Sequence, residues 1–343
     1  MSSDADLREV VDPERLGAYL DAHLPDVGET TVEKHVAGFS NETWFVNRAG
    51  KRYVLRRPPR GPLLPTAHDV VREFRYLSAL SNTAARVPRP VLLCEDPEVI
   101  GAPFYLMERL DGVVIRAELP AALNTEEERR RIGFEMVDAL AELHSVDWQA
   151  IGLQGKPEGF LDRQLKRWQS QADLSVGKVR DLPRLNEIGD WLRARKPESG
   201  PPTVVHGDYK LDNVMFAADA PARLIAIFDW EMATIGDPLA DLGWLMHTWG
   251  KPDVVDDDEP LPLTALPGFP TRDELAERYA EKTGREMKDF AFYHVMALWK
   301  MAIILEGLYV GYVQGTASNP GAAEFEFRVP KLIERAHRLM DTA

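Results

Sequence analysis

The stretch His206-Gly207-Asp208-Tyr209-Lys210-Leu211-Asp212-Asn213 constrains the fold of this chain more than any other. It is a polar loop held between two apolar runs, Thr203-Val204-Val205 before it and Val214-Met215-Phe216 after it. A third run, Leu224-Ile225-Ala226-Ile227-Phe228, delivers Asp229 at its end, sixteen residues beyond Asn213. Short apolar runs bounded by polar clusters read as strands. Two carboxylates and one amide thus sit at strand ends and on a tight loop, where side chains can converge on one point. An acid that activates a hydroxyl, beside an amide and a second acid able to hold Mg²⁺, is the minimum equipment for moving a phosphoryl group.

At 343 residues the chain is long enough for two lobes. Its composition, 45% hydrophobic and 28% charged, is that of ordinary globular domains. No uninterrupted apolar run approaches the roughly 20 residues of a membrane span, so no transmembrane helix is expected. Met1 to Asp6 is acidic and lacks an apolar signal core. A single cysteine, Cys94, leaves no internal disulfide to form and points to a reducing cytoplasm. The net charge of −14 argues against a nucleic-acid backbone as partner and mildly favours cationic substrates. The oligomeric state is not readable.

Ahead of the loop, residues 12–24 pattern as a short helix, with Asp12 as N-cap and Pro13 at the first helical position. Thr31 to Phe39, Glu42 to Arg48 and Arg52 to Arg56 read as three strands of an antiparallel meander. Their first connection, Gly38-Phe39-Ser40-Asn41, is either an ordinary hairpin turn or a loop whose backbone amides approach phosphate oxygens. Arg56 follows the alternation Tyr53-Val54-Leu55 and so can point inward, where a cation needs a partner. The helix expected over 68–80 carries Glu73 beside its apolar stripe. A strand cation paired with a helix glutamate is the kinase arrangement for gripping the α- and β-phosphates. Val91 to Cys94 and Phe104 to Glu108 read as further strands, the second running into Arg109-Leu110-Asp111-Gly112. Free backbone groups there can bond an adenine edge, with Met107 as core or as a purine neighbour.

The remainder patterns as helical. Thr125 to Ser145 is a long helix with a capping box expected between Thr125 and Glu128, and Thr271 with Glu274 forms a second box. Further helices are expected near 160–171, 181–195, 238–249, 272–283, 288–314 and 321–340. His144, at a helix end, is a cap or core contact, or a ligand. The acidic run within 253–259 is a solvated loop or a lid.

His206-Gly207-Asp208 with Asn213 and the Asp229 strand resembles the aminoglycoside phosphotransferase family, which is similar in fold to the protein kinases. The resemblance implies an α+β, two-lobed, protein-kinase-like fold. Residues 1–108 would form the sheet lobe, 109–112 the hinge, and 113–343 the mostly helical lobe. It implies ATP and Mg²⁺ as cofactors and a small-molecule hydroxyl as acceptor. Asp208 looks like the catalytic acid, Asn213 and Asp229 like the metal ligands, and His206 like a brace. Arg56 falls where the family usually has lysine, and Glu73 where it has the paired glutamate. Ser40 and Asn41 belong to the phosphate loop, and the backbone of Glu108 to Leu110 to the adenine hinge. Asp237, Pro238 and Asp241 look like a loop brace and helix cap. Pro65 to Glu73 and Gly101 to Glu108 look like the branch associated with acyl-CoA dehydrogenases, which implies a hydroxylated acyl substrate. An amino-alcohol or aminoglycoside acceptor, or a nucleotide-binding pseudokinase regulator, are the other readings.

Overall fold

The structure, a computed structural model, describes residues 10–25, 27–35, 41–60, 69–250, 262–316 and 320–343. Ser40, His68 and the acidic run within 253–259 lie outside the described residues.

The N-terminal lobe is a five-stranded antiparallel sheet in the order β1-β2-β3-β5-β4. Its strands are β1 (Thr30–His35), β2 (Glu42–Arg48), β3 (Lys51–Arg57), β4 (Pro90–Cys94) and β5 (Phe104–Glu108). Two helices flank it, α1 (Pro13–His23) and α2 (Val70–Leu80). Asp12 caps α1 by accepting the N–H groups of Glu14 and Arg15, with Pro13 opening the helix. Alternation sorts the two faces of the sheet. Trp44, Val46, Leu55, Phe104 and Leu106 pack with Leu16 and Leu20 of α1. Val54, Tyr105 and Met107 pack on the other side with Tyr76, Leu77 and Leu80 of α2. Arg56 is two residues beyond Val54, so it opens toward α2 and not toward α1.

The second lobe is mostly helical: α3 (Glu126–His144), α4 (Phe160–Ser175), α5 (Pro183–Ala194), α6 (Leu239–His247), α7 (Arg272–Thr283), α8 (Phe290–Val313) and α9 (Phe325–Thr342). Between α5 and α6 lie two short ladders. β6 (Thr203–Val205) pairs with β9 (Thr234–Gly236), and β7 (Val214–Phe216) with β8 (Leu224–Ile227). Together the fold is that of a two-lobed protein kinase.

One expectation is corrected. The capping box of α3 is only half formed: Thr125 accepts the Glu128 N–H, but the Glu128 carboxylate turns inward to take the Ala222 N–H at 2.6 Å. A buried backbone donor must find an acceptor, and this one outcompetes the helix end. Thr271 and Glu274 of α7 do complete their box. Helix α8 has 24 residues, and an 18-residue window of it with a mean hydropathy of 1.4 is long and apolar enough by those measures to cross a bilayer. Lys300 and Glu306 interrupt its apolar sequence. Val295, Leu298, Trp299 and Ile303 of α8 form the centre of the helical core. Glu306 is fully buried there and receives Arg180 Nε at 3.0 Å.

Candidate active site

The loop between β6 and β7 is held from several sides. Asp241, fully buried in the first turn of α6, accepts the N–H of His206 at 2.6 Å and of Gly207 at 2.7 Å. Its Oδ2 also meets His144 Nε2 at 3.3 Å, and His144 Nδ1 meets the Tyr279 hydroxyl at 2.7 Å. Burial alone would raise the Asp241 carboxyl, but the bonds from His144 and Gly207 bring it below the ordinary carboxylate value. Burial holds the His144 imidazole below its ordinary value despite Asp241. Asp237 stands one residue before the N-cap of the same helix, which is Pro238, and accepts the Leu239 N–H at 3.1 Å and the Tyr293 hydroxyl at 2.7 Å. His206 is a brace: Nδ1 accepts the Asp208 N–H at 3.2 Å, so Nε2 carries the proton it donates to the Phe228 carbonyl at 2.8 Å.

Gly207 makes this turn possible. Its φ is +86°, and a Cβ there would stand 2.8 Å from the Met232 carbonyl oxygen. Gly207→Ala is expected to cost about 1–3 kcal/mol of stability, the usual size of such strain, and to lower turnover through the displaced loop. A melting temperature equal to that of the parent protein would contradict this account of the turn.

Asp208 emerges from the loop with both oxygens engaged. Oδ1 accepts the Trp244 indole N–H at 2.7 Å; Oδ2 accepts Asn213 Nδ2 at 2.8 Å and lies 3.0 Å from Lys210 Nζ. Asn213 Nδ2 also reaches the Asp208 carbonyl at 2.8 Å, which leaves the Asn213 Oδ1 as the atom free to meet a cation. The Phe228 N–H donates to the Asn213 carbonyl at 2.8 Å and so brings the end of β8 alongside the loop. Asp229 follows in the left-handed region at φ +66°, a strained setting for a residue with a side chain. Asn213 and Asp229 offer two hard oxygen donors on one cavity wall. Among the described residues no group of three or more His, Cys, Asp or Glu could hold a metal. A donor set this sparse does not suit zinc, but it fits Mg²⁺, which keeps several waters and takes substrate phosphate oxygens.

Across the cleft, Arg56 Nη2 lies 3.3 Å from Glu73 Oε1 and 3.5 Å from Asp229 Oδ1. Burial works against the guanidinium, but Glu73, Asp229 and Glu231 raise it above its ordinary value. Asn41 sits behind this pair, its Nδ2 donating to Glu73 Oε2 at 3.1 Å, and its side chain does not line the cavity. Arg72, next to Glu73 on α2, donates to the carbonyls of Glu231, at 2.9 Å, and Ala233. It thereby ties α2 to the segment that follows Asp229.

Arg56, Glu73, Asp208, Asn213 and Asp229 all line one cavity of about 870 Å³, which extends to Met107 and residues 108–112. In that segment the Glu108 N–H is taken by the Arg89 carbonyl at 2.9 Å and the Arg109 N–H by the Arg52 carbonyl at 3.3 Å. Among the described residues no partner takes the Leu110 N–H. A second cavity of about 560 Å³ opens on the other side of the loop, walled by Phe160, Arg167, Trp168, Trp244, Met296 and Lys300. Glu231 lines both cavities.

Three residues at the site escaped sequence reasoning. Lys210 lies inside the motif, two positions beyond Asp208, and its spacing could have found it. Trp244 and Lys300 sit in the apolar patterns of α6 and α8 and carry no local signal.

The family model for the phosphotransferase enzyme family matches residues 31–290. Acyl-CoA dehydrogenase family member 11 of Gallus gallus is 34% identical over 321 residues, covering 91% of this chain and 40% of that protein. The Homo sapiens protein of the same name is 33% identical over 353 residues, covering 98% of this chain and 45% of its own. The chain therefore spans less than half the length of these relatives. Among solved structures, a candidate aminoglycoside phosphotransferase from Ralstonia eutropha superposes with a TM-score of 0.82 at 32% identity, covering 97% of this chain and 99% of that one. A choline kinase from Cryptosporidium parvum, 14% identical, shares the fold with a TM-score of 0.65 over 96% of this chain and 97% of its own. On the loop geometry and these matches, the chain belongs to the phosphotransferase enzyme family.

Proposed function

We propose that this protein moves the γ-phosphoryl group of ATP to a hydroxyl of a small molecule, and that the acceptor is a hydroxyacyl compound of the acyl-CoA type. The observation that carries the reading is the convergence of Asp208, Asn213 and Asp229 on one wall of a cavity gripped from above by Arg56 and Glu73. Asp208 takes the proton of the acceptor hydroxyl while the hydroxyl oxygen attacks the γ-phosphorus. The bond from that phosphorus to the bridging oxygen breaks, and ADP leaves with the electron pair. Asn213 and Asp229 would hold Mg²⁺, which when bound neutralises charge on the phosphate oxygens. Lys210 stands where a cation can meet the transferring group, and Arg56 where one can meet the upstream phosphates. The Leu110 N–H is the hinge donor offered to adenine. With one buried cysteine, the proposed setting is cytoplasmic.

The acceptor lies in the second cavity on this reading. Its Phe160, Trp168, Trp244 and Met296 walls suit an apolar chain, and Arg167 and Lys300 oppose a polycation. Asp69 and Glu231 on the same walls support the second reading, an amino-alcohol or aminoglycoside acceptor. ADP release measured with hydroxyacyl-CoA, choline-like and aminoglycoside acceptors separates the two. Nucleotide binding with no acceptor-dependent turnover across the panel would instead favour a pseudokinase regulator.

Two further outcomes are expected. Arg56→Met should weaken Mg²⁺·ATP binding about ten-fold or more, the scale of one lost charge-assisted contact, as read by calorimetry. Unchanged affinity would remove Arg56 from the phosphate grip. Chelation of divalent ions with EDTA should abolish ADP release, and added Mg²⁺ should restore it; turnover that persists in EDTA would contradict the metal assignment.

A further inference from the structure

Lys300 is a half-buried cation on the wall of the second cavity, and the transfer step gives it no part. Its Nζ donates to the Gly207 carbonyl at 2.8 Å, the peptide unit that carries Asp208. The same ammonium lies 3.7 Å from the centre of the Trp244 ring, whose N–H donates to Asp208 Oδ1 at 2.7 Å. One cation thus holds the catalytic acid twice, through its backbone and through an indole. Among the described residues no carboxylate lies within ion-pair distance of Lys300.

Taking an ammonium even partly out of water is costly without a paired anion, and a leucine would fill this helix position at less cost. A cation over the face of an indole draws on the ring and makes its N–H a stronger donor. Trp244 occupies Oδ1 while Asn213 and Lys210 occupy Oδ2, so the carboxylate has one orientation. We infer that Lys300 and Trp244 are a positioning pair for Asp208, with the Lys300 charge setting the strength of the indole–carboxylate bond. The inference rests on reading Asp208 as the acid that takes the hydroxyl proton.

The charge of Lys300 is open to titration. Burial pushes its ammonium down to about 8, against the fields of Asp208 and Asp241, with Arg167 and Lys210 adding to the push. These groups face it from the loop, from α6 and from α4; Arg72 and Glu231 share the cavity. Lys300 therefore carries its charge below that value and loses it above.

The test is the ¹H–¹⁵N spectrum of the indole N–H groups of the full chain, one for each of its 8 tryptophans, with the Trp244 peak assigned as the one missing in Trp244→Phe. That peak should move in Asp208→Asn, shift through pH 8 in the parent protein, and stay still between pH 7 and 9.5 in Lys300→Arg and Lys300→Met. At pH 7 the ADP-release kcat should fall about ten-fold in Trp244→Phe and Lys300→Met, with Mg²⁺·ATP affinity unchanged; Lys300→Arg should retain most of the rate. Trp244→Phe keeps the ring and Lys300→Arg the charge, so a folding failure of Lys300→Met leaves the test intact. A Trp244 peak blind to both pH and Lys300→Met overturns the pair. If Asp208→Asn abolishes turnover while the pair variants keep full kcat, positioning fails and the reading of Asp208 stands. If Asp208→Asn keeps full turnover, both fall.

Discussion

Replacing Asp208 by asparagine is expected to lower turnover about 10²–10⁴-fold, the range for removal of a positioned general base, while Mg²⁺·ATP still binds. The substitution keeps the shape of the side chain. One oxygen can still accept the Trp244 indole N–H, but the new amide group then faces Asn213 Nδ2 and Lys210 Nζ, which now donate to Oδ2. A flip of the amide restores those bonds and sets two N–H donors, amide and indole, against each other. Either way the loop keeps its main supports, since Asp241 and His206 hold the backbone and not the Asp208 side chain. The effect should appear in kcat, with the nucleotide dissociation constant within a few-fold of the parent value. An equal loss in binding would mean that the variant has deformed the cavity.

Asp241→Ala is expected to be the most damaging substitution to the fold near the site. Its carboxylate is fully buried and accepts from two backbone N–H groups and from His144. Removing it leaves three donors without an acceptor, those of His206 and His144 fully buried and that of Gly207 partly so, at a cost of about 3–5 kcal/mol, typical for breaking a buried charged network. The melting temperature should fall with it, and turnover should fall because the His206-Gly207 turn is released. The pH dependence has a definite sign. The folded Asp241 carboxyl lies below its unfolded value, so its contribution is complete above the ordinary carboxylate pKa of about 4 and fades as pH falls through the depressed value. The difference in stability between parent and variant should shrink under acid. A melting temperature for Asp241→Ala within a degree or two of the parent would show that the loop does not depend on this carboxylate.

Much of the fold was legible because its signals are local. The three strands ending near Arg48, Arg56 and Glu108 announce themselves as short runs bounded by turn residues, and the alternation before Arg56 places it on the face turned to α2. Asp12 and Thr271 cap where their local sequence says they should. What was not legible is long-range. Glu128 abandons its own helix end for Ala222, 94 residues away, and no local pattern announces that competition. Asn41 was read for its backbone in a phosphate loop, yet its side chain turns to Glu73 on a different element. Trp244 and Lys300 lie on helices whose apolar patterns absorb them, and only the packing of α8 against α6 brings both to Asp208. The loop from His206 to Asn213 shows the same division. Its acid and amide stand in one short stretch, while the groups that orient them come from Asp241, Trp244 and Lys300, distant in sequence.

The central claim is that a phosphoryl group leaves ATP for an acceptor hydroxyl under the control of Asp208. Its most direct test is ³¹P NMR of the parent protein incubated with Mg²⁺·ATP and the hydroxyacyl-CoA panel, with Asp208→Asn run in parallel. The account predicts a new phosphomonoester resonance that grows with ADP in the parent protein and is absent in the variant. ADP accompanied only by inorganic phosphate, or a phosphoester formed equally well by Asp208→Asn, would contradict it.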